Sequence, residues 1–133
     1  MTRQLTIATQ DSQLFTVETP GGAPPLLFLN GAFATVQSWN RVIERLGARF
    51  RSVRFDARAR GRSGPSSDYS VQAAVDDVGR VIAVTAIERP ILVGWSYGAT
   101  VAVRYAAQHP DQVDGLVLID GAYPVALLDE AGK

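Results

Sequence analysis

A serine with a glycine two places to either side, Gly94-Trp95-Ser96-Tyr97-Gly98, stands between the apolar run Ile91-Leu92-Val93 and an alanine- and valine-rich stretch beginning at Tyr97. That order reads as strand, tight turn and helix, the setting in which a serine hydroxyl is presented as a nucleophile. The positions two before and two after must be small for strand and helix to approach, and both are glycine. Because Ser96 precedes the helix, the Tyr97 amide and the positive end of the helix dipole point to where an oxyanion would form. Trp95, on the other flank, is a candidate wall for an acyl pocket. A serine hydroxyl needs a base to take its proton, ordinarily a histidine. The one histidine is His109, at the far end of the same helix and about 18 Å away at roughly 1.5 Å rise per residue, so it cannot serve Ser96 within the chain.

The elements that position these residues follow from hydrophobic periodicity. Leu5-Thr6-Ile7 and Leu14-Phe15-Thr16-Val17, joined around Asp11-Ser12, predict an antiparallel hairpin. Pro25-Leu26-Leu27-Phe28-Leu29 is continuously apolar, the pattern of a strand buried on both faces, and it ends at Asn30-Gly31. Trp39, Val42, Ile43 and Leu46 form one helical stripe that Gly47 can stop, and Ser52-Val53-Arg54-Phe55 is the next strand. After a polar loop from Asp56 to Ser67, Ser70 can cap a helix whose stripe is Val71, Val75, Val78 and Ile82. Ile91-Leu92-Val93, the helix from Tyr97 to about Gln108, and Leu116-Val117-Leu118-Ile119 complete the series, with Pro110 stopping the helix between the last two strands. The alternation predicts an α/β fold: a mostly parallel sheet with right-handed crossovers and helices on both faces.

Composition limits the partners. With 133 residues, 47% of them hydrophobic, the chain is expected to form one globular unit. Thirteen basic and thirteen acidic residues leave no net charge, so nucleic acid and acidic lipid are not expected partners and a neutral small molecule is. Without cysteine there is no disulfide, thiol nucleophile or thiolate metal site, and one histidine rules out a histidine-rich one. Met1 to Thr6 lacks the apolar core of a secretory signal, and no apolar run nears the ~18 residues of a membrane span, so a soluble, cytoplasmic protein is expected.

Taken with three further stretches, the serine turn resembles the N-terminal half of an α/β-hydrolase of the cofactor-free esterase, lactonase and perhydrolase type. Leu29-Asn30-Gly31-Ala32-Phe33 followed by Trp39 is similar to the family's His-Gly oxyanion loop, with Asn30 in the histidine's place. Asp56-Ala57-Arg58-Ala59-Arg60-Gly61-Arg62-Ser63 resembles the Asp-x-Arg-Gly-x-Gly-x-Ser loop, with Ala59 at the first glycine; the match implies a structural loop rather than an anion site at Arg58, Arg60 and Arg62. Gln108-His109-Pro110-Asp111, leading into the strand that ends at Asp120, is similar to the family's helix exit and sixth strand, which makes His109 a helix-terminal residue.

The resemblance implies that Ser96 is the nucleophile and that the amides of Ala32 and Tyr97 form the oxyanion hole, with Phe33 as the alternative donor. Phe33 and Trp95 are then the candidate substrate-binding residues. Asp120 is a candidate triad acid, since some branches carry that acid directly after the sixth strand. Serine at the centre points away from the dehalogenase and epoxide hydrolase branches, which use aspartate there. The family continues with a lid, two more strands and the histidine loop. Residues 1–120 are accordingly expected to be the N-terminal part of the core and residues 121–133 the start of a lid. The implied activity is serine-dependent hydrolysis of a small ester, thioester or lactone, without metal or organic cofactor. The base would come from a C-terminal fragment or a second chain. The alternatives are a non-catalytic binding module that keeps the pocket, and an inactive fragment.

Overall fold

The computed structural model describes residues 2–121. Six strands form one sheet in the order β1-β2-β4-β3-β5-β6. β1 (Arg3–Ala8) and β2 (Gln13–Thr19) are the expected hairpin, with Leu5 opposite Thr16 and Ile7 opposite Leu14. β2 then runs antiparallel to β4 (Ser52–Phe55), which periodicity alone did not indicate. β4, β3 (Leu26–Leu29), β5 (Ile91–Trp95) and β6 (Gly115–Ile119) are mutually parallel, as the alternating pattern predicts.

The two faces of the central strand carry different cores. Leu27 and Leu29 face a cluster with Val75, Val78, Val81, Leu92, Val101 and Tyr105, beneath α2 (Val71–Thr85) and α3 (Tyr97–Gln108). Leu26 and Phe28 face Trp39, Ile43 and Val93, beneath α1 (Asn40–Leu46). Side chains two apart share a face of a strand, so a run apolar at every position is what a sheet covered on both sides requires. Each of these leucines and valines contributes roughly 1.5–3 kcal/mol on leaving water.

Two helical stripes shift in detail. Trp39 falls in a 3-10 turn (Val36–Trp39) ahead of α1, while Val42 remains 42% exposed. Gly47 does stop α1, at φ 59°, a left-handed angle that suits glycine. In α2 the buried line is Val75, Val78 and Val81 with Asp77, whereas Val71 and Ile82 are only half-buried, because the helix rests on both the sheet and α3.

β3 is the switch point. The chain leaves β3 toward β4 on one side and returns to β5 on the other, so the loops after β3 and β5 diverge at the carboxyl ends of adjacent strands. In open α/β sheets that divergence makes a ligand crevice. Among the described residues β6 lies at the edge, paired only with β5, and Leu116, Val117 and Ile119 are exposed there. The expected lid lies, apart from Gly121, outside the described residues.

Candidate active site

β5 ends at Trp95 and α3 begins at Tyr97, leaving Ser96 alone to reverse the chain at φ 55°, ψ −114°. A non-glycine residue at positive φ is strained, and packing holds this one in place. A methyl group on Gly94 would stand 2.5 Å from the Gly98 carbonyl oxygen and 2.7 Å from Ala99 Cα. One on Gly98 would overlap the Leu29 carbonyl and lie 2.8 Å from the Asn30 oxygen. The first turn of α3 is thus seated directly on the ends of β5 and β3. The Ser96 amide donates to the Ile119 carbonyl at 2.9 Å, tying the turn to β6 as well.

Two serines precede helices in this chain, and they behave differently. Ser70 accepts the Ala73 amide at 3.1 Å and caps α2 in the usual way. Ser96 makes no capping bond, so its hydroxyl is not committed to the helix it opens. The Tyr97 amide, first in α3, has no carbonyl one turn back to accept it.

Facing this turn, the loop after β3 is closed by a bond from the Ala34 amide to the Gly31 carbonyl at 3.1 Å. Ala32 and Phe33 occupy its middle, Phe33 at φ 66°, and among the described residues neither amide has a partner. The loop is fixed from beneath by groups that periodicity does not reveal. Asn30 is buried; its Nδ2 donates to the Phe55 carbonyl at 2.9 Å and its Oδ1 accepts Trp39 Nε1 at 2.7 Å. Asp56, 1% exposed, accepts the Val36 amide at 2.8 Å through Oδ1 and the Arg62 amide at 2.8 Å through Oδ2. Its carboxylate also occupies the space a Cβ at Gly61 would need. Trp95 lies against the loop from the other side: a methyl on Gly31 would be 3.0 Å from Trp95 Cε3.

The loop after β4 is latched to α2. Arg58, 8% exposed, meets Asp77 through two bonds, Nε to Oδ2 at 2.8 Å and Nη2 to Oδ1 at 2.7 Å. Its Nη1 reaches Asp11 at 3.2 Å, Ser66 at 2.8 Å and the Asp68 carbonyl at 2.9 Å. The bonds to Asp77 hold the guanidinium pKa above its ordinary value. Between this latch and the serine turn lies a cavity of about 280 Å³, lined by Leu29, Phe33, Phe55, Val78, Tyr97 and Val101 among others. Burial pushes the Tyr97 phenol up from its ordinary value, so it stays neutral at physiological pH. Phe33 therefore borders the cavity, whereas Trp95 packs on Gly31 and is not part of its lining.

Asp120 follows β6 at φ 47° and is exposed. Since Trp95 pairs with Ile119 in the β5–β6 register, Asp120 and Ser96 leave neighbouring strands at the same level. His109 is at the opposite end of α3, its amide bonded to the Tyr105 carbonyl at 2.9 Å and its ring 4.6 Å from the Tyr105 ring. The fold thus brings Ala32, Phe33, Trp95, Ser96, Tyr97 and Asp120 to one end of the sheet and leaves His109 at the other. Asn30, Asp56 and Trp39 are the positioning residues that the sequence showed as residue types without showing their partners.

A sequence profile of the alpha/beta hydrolase fold matches residues 24–133. The chain belongs to the alpha/beta hydrolase fold family. Among relatives of this alpha/beta hydrolase, the AB hydrolase superfamily protein YisY of Bacillus subtilis is 34% identical over 89% of the chain and 45% of its own length. The pimeloyl-[acyl-carrier protein] methyl ester esterase of Edwardsiella ictaluri is 34% identical over 81% of the chain and 40% of its own length. The crystal structure of a membrane phospholipase A superposes with a TM-score of 0.84 at 30% identity, covering 91% of this chain and 40% of that one. A haloalkane dehalogenase from Agrobacterium tumefaciens, at 23% identity and a TM-score of 0.82 over 90% of this chain and 41% of that one, shares the fold. The chain spans less than half the length of each. No helix among the described residues of this alpha/beta hydrolase is long and apolar enough to cross a membrane.

Proposed function

We propose that this chain carries the nucleophile and the oxyanion hole of a serine hydrolase acting on a small ester, thioester or lactone. The observation that carries the reading is the Ser96 turn. A left-handed serine is wedged between two glycines that tolerate no methyl group, and its hydroxyl is spared from the capping bond that Ser70 makes. Ser96 Oγ attacks the carbonyl carbon as a base takes its proton. The carbonyl oxygen becomes an oxyanion held by the amides of Tyr97 and Ala32, and collapse releases the alcohol or thiol and leaves an acyl-enzyme. Water, deprotonated by the same base, then frees the acid. His109 is at the wrong end of α3 for this work, so the base is a histidine from outside this chain, in a C-terminal portion or a second chain. Asp120, level with Ser96, is the proposed acid that orients it.

The departure at Asn30 gives no support to a pocket kept only for binding. That side chain bonds through both its nitrogen and its oxygen beneath the proposed oxyanion loop, a task an active site needs. The test is labelling with a fluorophosphonate, read by intact mass and peptide mapping, on the chain together with the histidine-bearing portion. A single adduct on Ser96 is expected, with turnover reduced about 10⁶-fold in Ser96→Ala. An adduct elsewhere, or turnover that survives Ser96→Ala, overturns the reading.

A further inference from the structure

The cavity beside Ser96 is apolar along Leu29, Phe55 and Val78, yet three charged side chains reach it: Arg58, Asp77 and Arg60. Two of them cancel. Arg58 and Asp77 are joined by the paired bonds described above, and Asp11 adds a further negative contact to Arg58 at 3.2 Å. Arg60 has no such counter-ion: among the described residues no carboxylate lies within ion-pair distance of it. Its guanidinium donates only to the Ala59 carbonyl, at 3.2 Å, and stacks on Phe33 with 4.6 Å from its central carbon to the ring centroid. The neighbouring Arg62 lies over Phe15 and does not line the cavity.

A half-buried cation against apolar walls keeps donors that water serves poorly, and a guanidinium's planar fork suits a carboxylate or phosphate. Arg60 lies over Phe33, whose ring is 81% exposed and which belongs to the turn proposed to present the oxyanion amides. The charge therefore lines the cavity on the side of that turn. We infer that Arg60 is a substrate-selecting residue: the acyl group that enters this cavity carries an anionic substituent that Arg60 meets, so the favoured substrate is a half-ester of a dicarboxylic acid or a similarly charged acyl ester. This rests on the ester-hydrolase reading for the carbonyl, but the charge preference is measured without turnover.

The experiment is calorimetric titration of the full chain in its Ser96→Ala form with monomethyl adipate and with methyl hexanoate, two esters of equal acyl length. Monomethyl adipate is expected to bind about tenfold more tightly, as a charge-assisted hydrogen bond provides, with the preference shrinking as salt is added. Arg60→Gln erases the preference and leaves methyl hexanoate binding unchanged, Arg60→Lys keeps part of it, and Arg62→Gln leaves it intact. Equal binding of the two esters overturns the inference. So does an Arg62→Gln loss as large as that of Arg60→Gln, which would mean a diffuse field, or a loss for both esters in Arg60→Gln, which would mean that Arg60 only props Phe33. If Ser96 escapes the fluorophosphonate while the preference persists, the catalytic reading falls and the charged site stands.

Discussion

Toward β3 and β4, the strand ends beside Ser96 carry Asn30, Asp56 and Arg58, each buried and each bonded to two or more groups across 6 to 47 residues of sequence. Toward β6, the strand end carries Asp120, exposed and with no side-chain bond to a described residue, beside the exposed apolar Val117 and Ile119. On the β3 and β4 side the loop after β3 is clamped by side chains of this chain. On the β6 side, among the described residues, nothing holds the Asp120 carboxylate. A preorganised dipole is effective only if it does not move when charge develops, and under the proposed function the clamped side is the one that would carry such dipoles.

The largest effect expected from breaking this contrast lies at its hinge. Gly98→Ala places a methyl against the Leu29 and Asn30 carbonyls, with only backbone to yield, and should cost about 4 kcal/mol or more, seen as loss of the cooperative unfolding transition in urea. Gly79→Ala, whose methyl would rest 3.5 Å from the Tyr105 ring, is the control and should be neutral or slightly stabilising. Next in size, Asp56→Ala strands the Val36 and Arg62 amides and should cost about 3 kcal/mol, whereas Asp120→Ala should stay within about 0.5 kcal/mol. Similar urea midpoints for these two variants would remove the distinction between the flanks. The smallest effect concerns Asp68, exposed in the loop that Arg58 latches, whose carboxylate accepts the Ser70 amide at 2.9 Å and is thereby held below its ordinary pKa. A carboxylate lowered by folding adds stability that is fully present above its unfolded pKa of about 4 and is lost as pH falls through the folded value. Asp68→Asn should therefore narrow the stability difference between pH 6 and pH 3 slightly, and an acid unfolding midpoint identical to that of the parent chain would contradict the assignment.

What could be read in advance was local. The buried strands, the serine turn with its two glycines and the Ser70 cap each depend on residues within a few places of one another, and period and turn chemistry record them. The Arg58 latch to Asp77 joins residues 19 apart, and the Asn30 bridge between Trp39 and the Phe55 carbonyl joins strand ends that meet only once the sheet forms. Asn30 looked like an imperfect match for a histidine because its partner was invisible. Trp95 stands next to Ser96 in sequence, but its ring packs on Gly31, where a methyl group would come within 3.0 Å of Cε3.

One non-glycine residue at a left-handed φ follows each of the four parallel strands: Phe33 after β3, Ala59 after β4, Ser96 after β5 and Asp120 after β6. At on the order of 1 kcal/mol apiece, these conformations hold a share of the net stability that a domain of this size has to offer. An engineer seeking a more heat-resistant protein would therefore leave the core alone and work along this rim. Ala59 is the place to begin, where glycine would relax the backbone and no proposed chemistry would be touched, and Ser96 is the place where comfort and purpose are opposed.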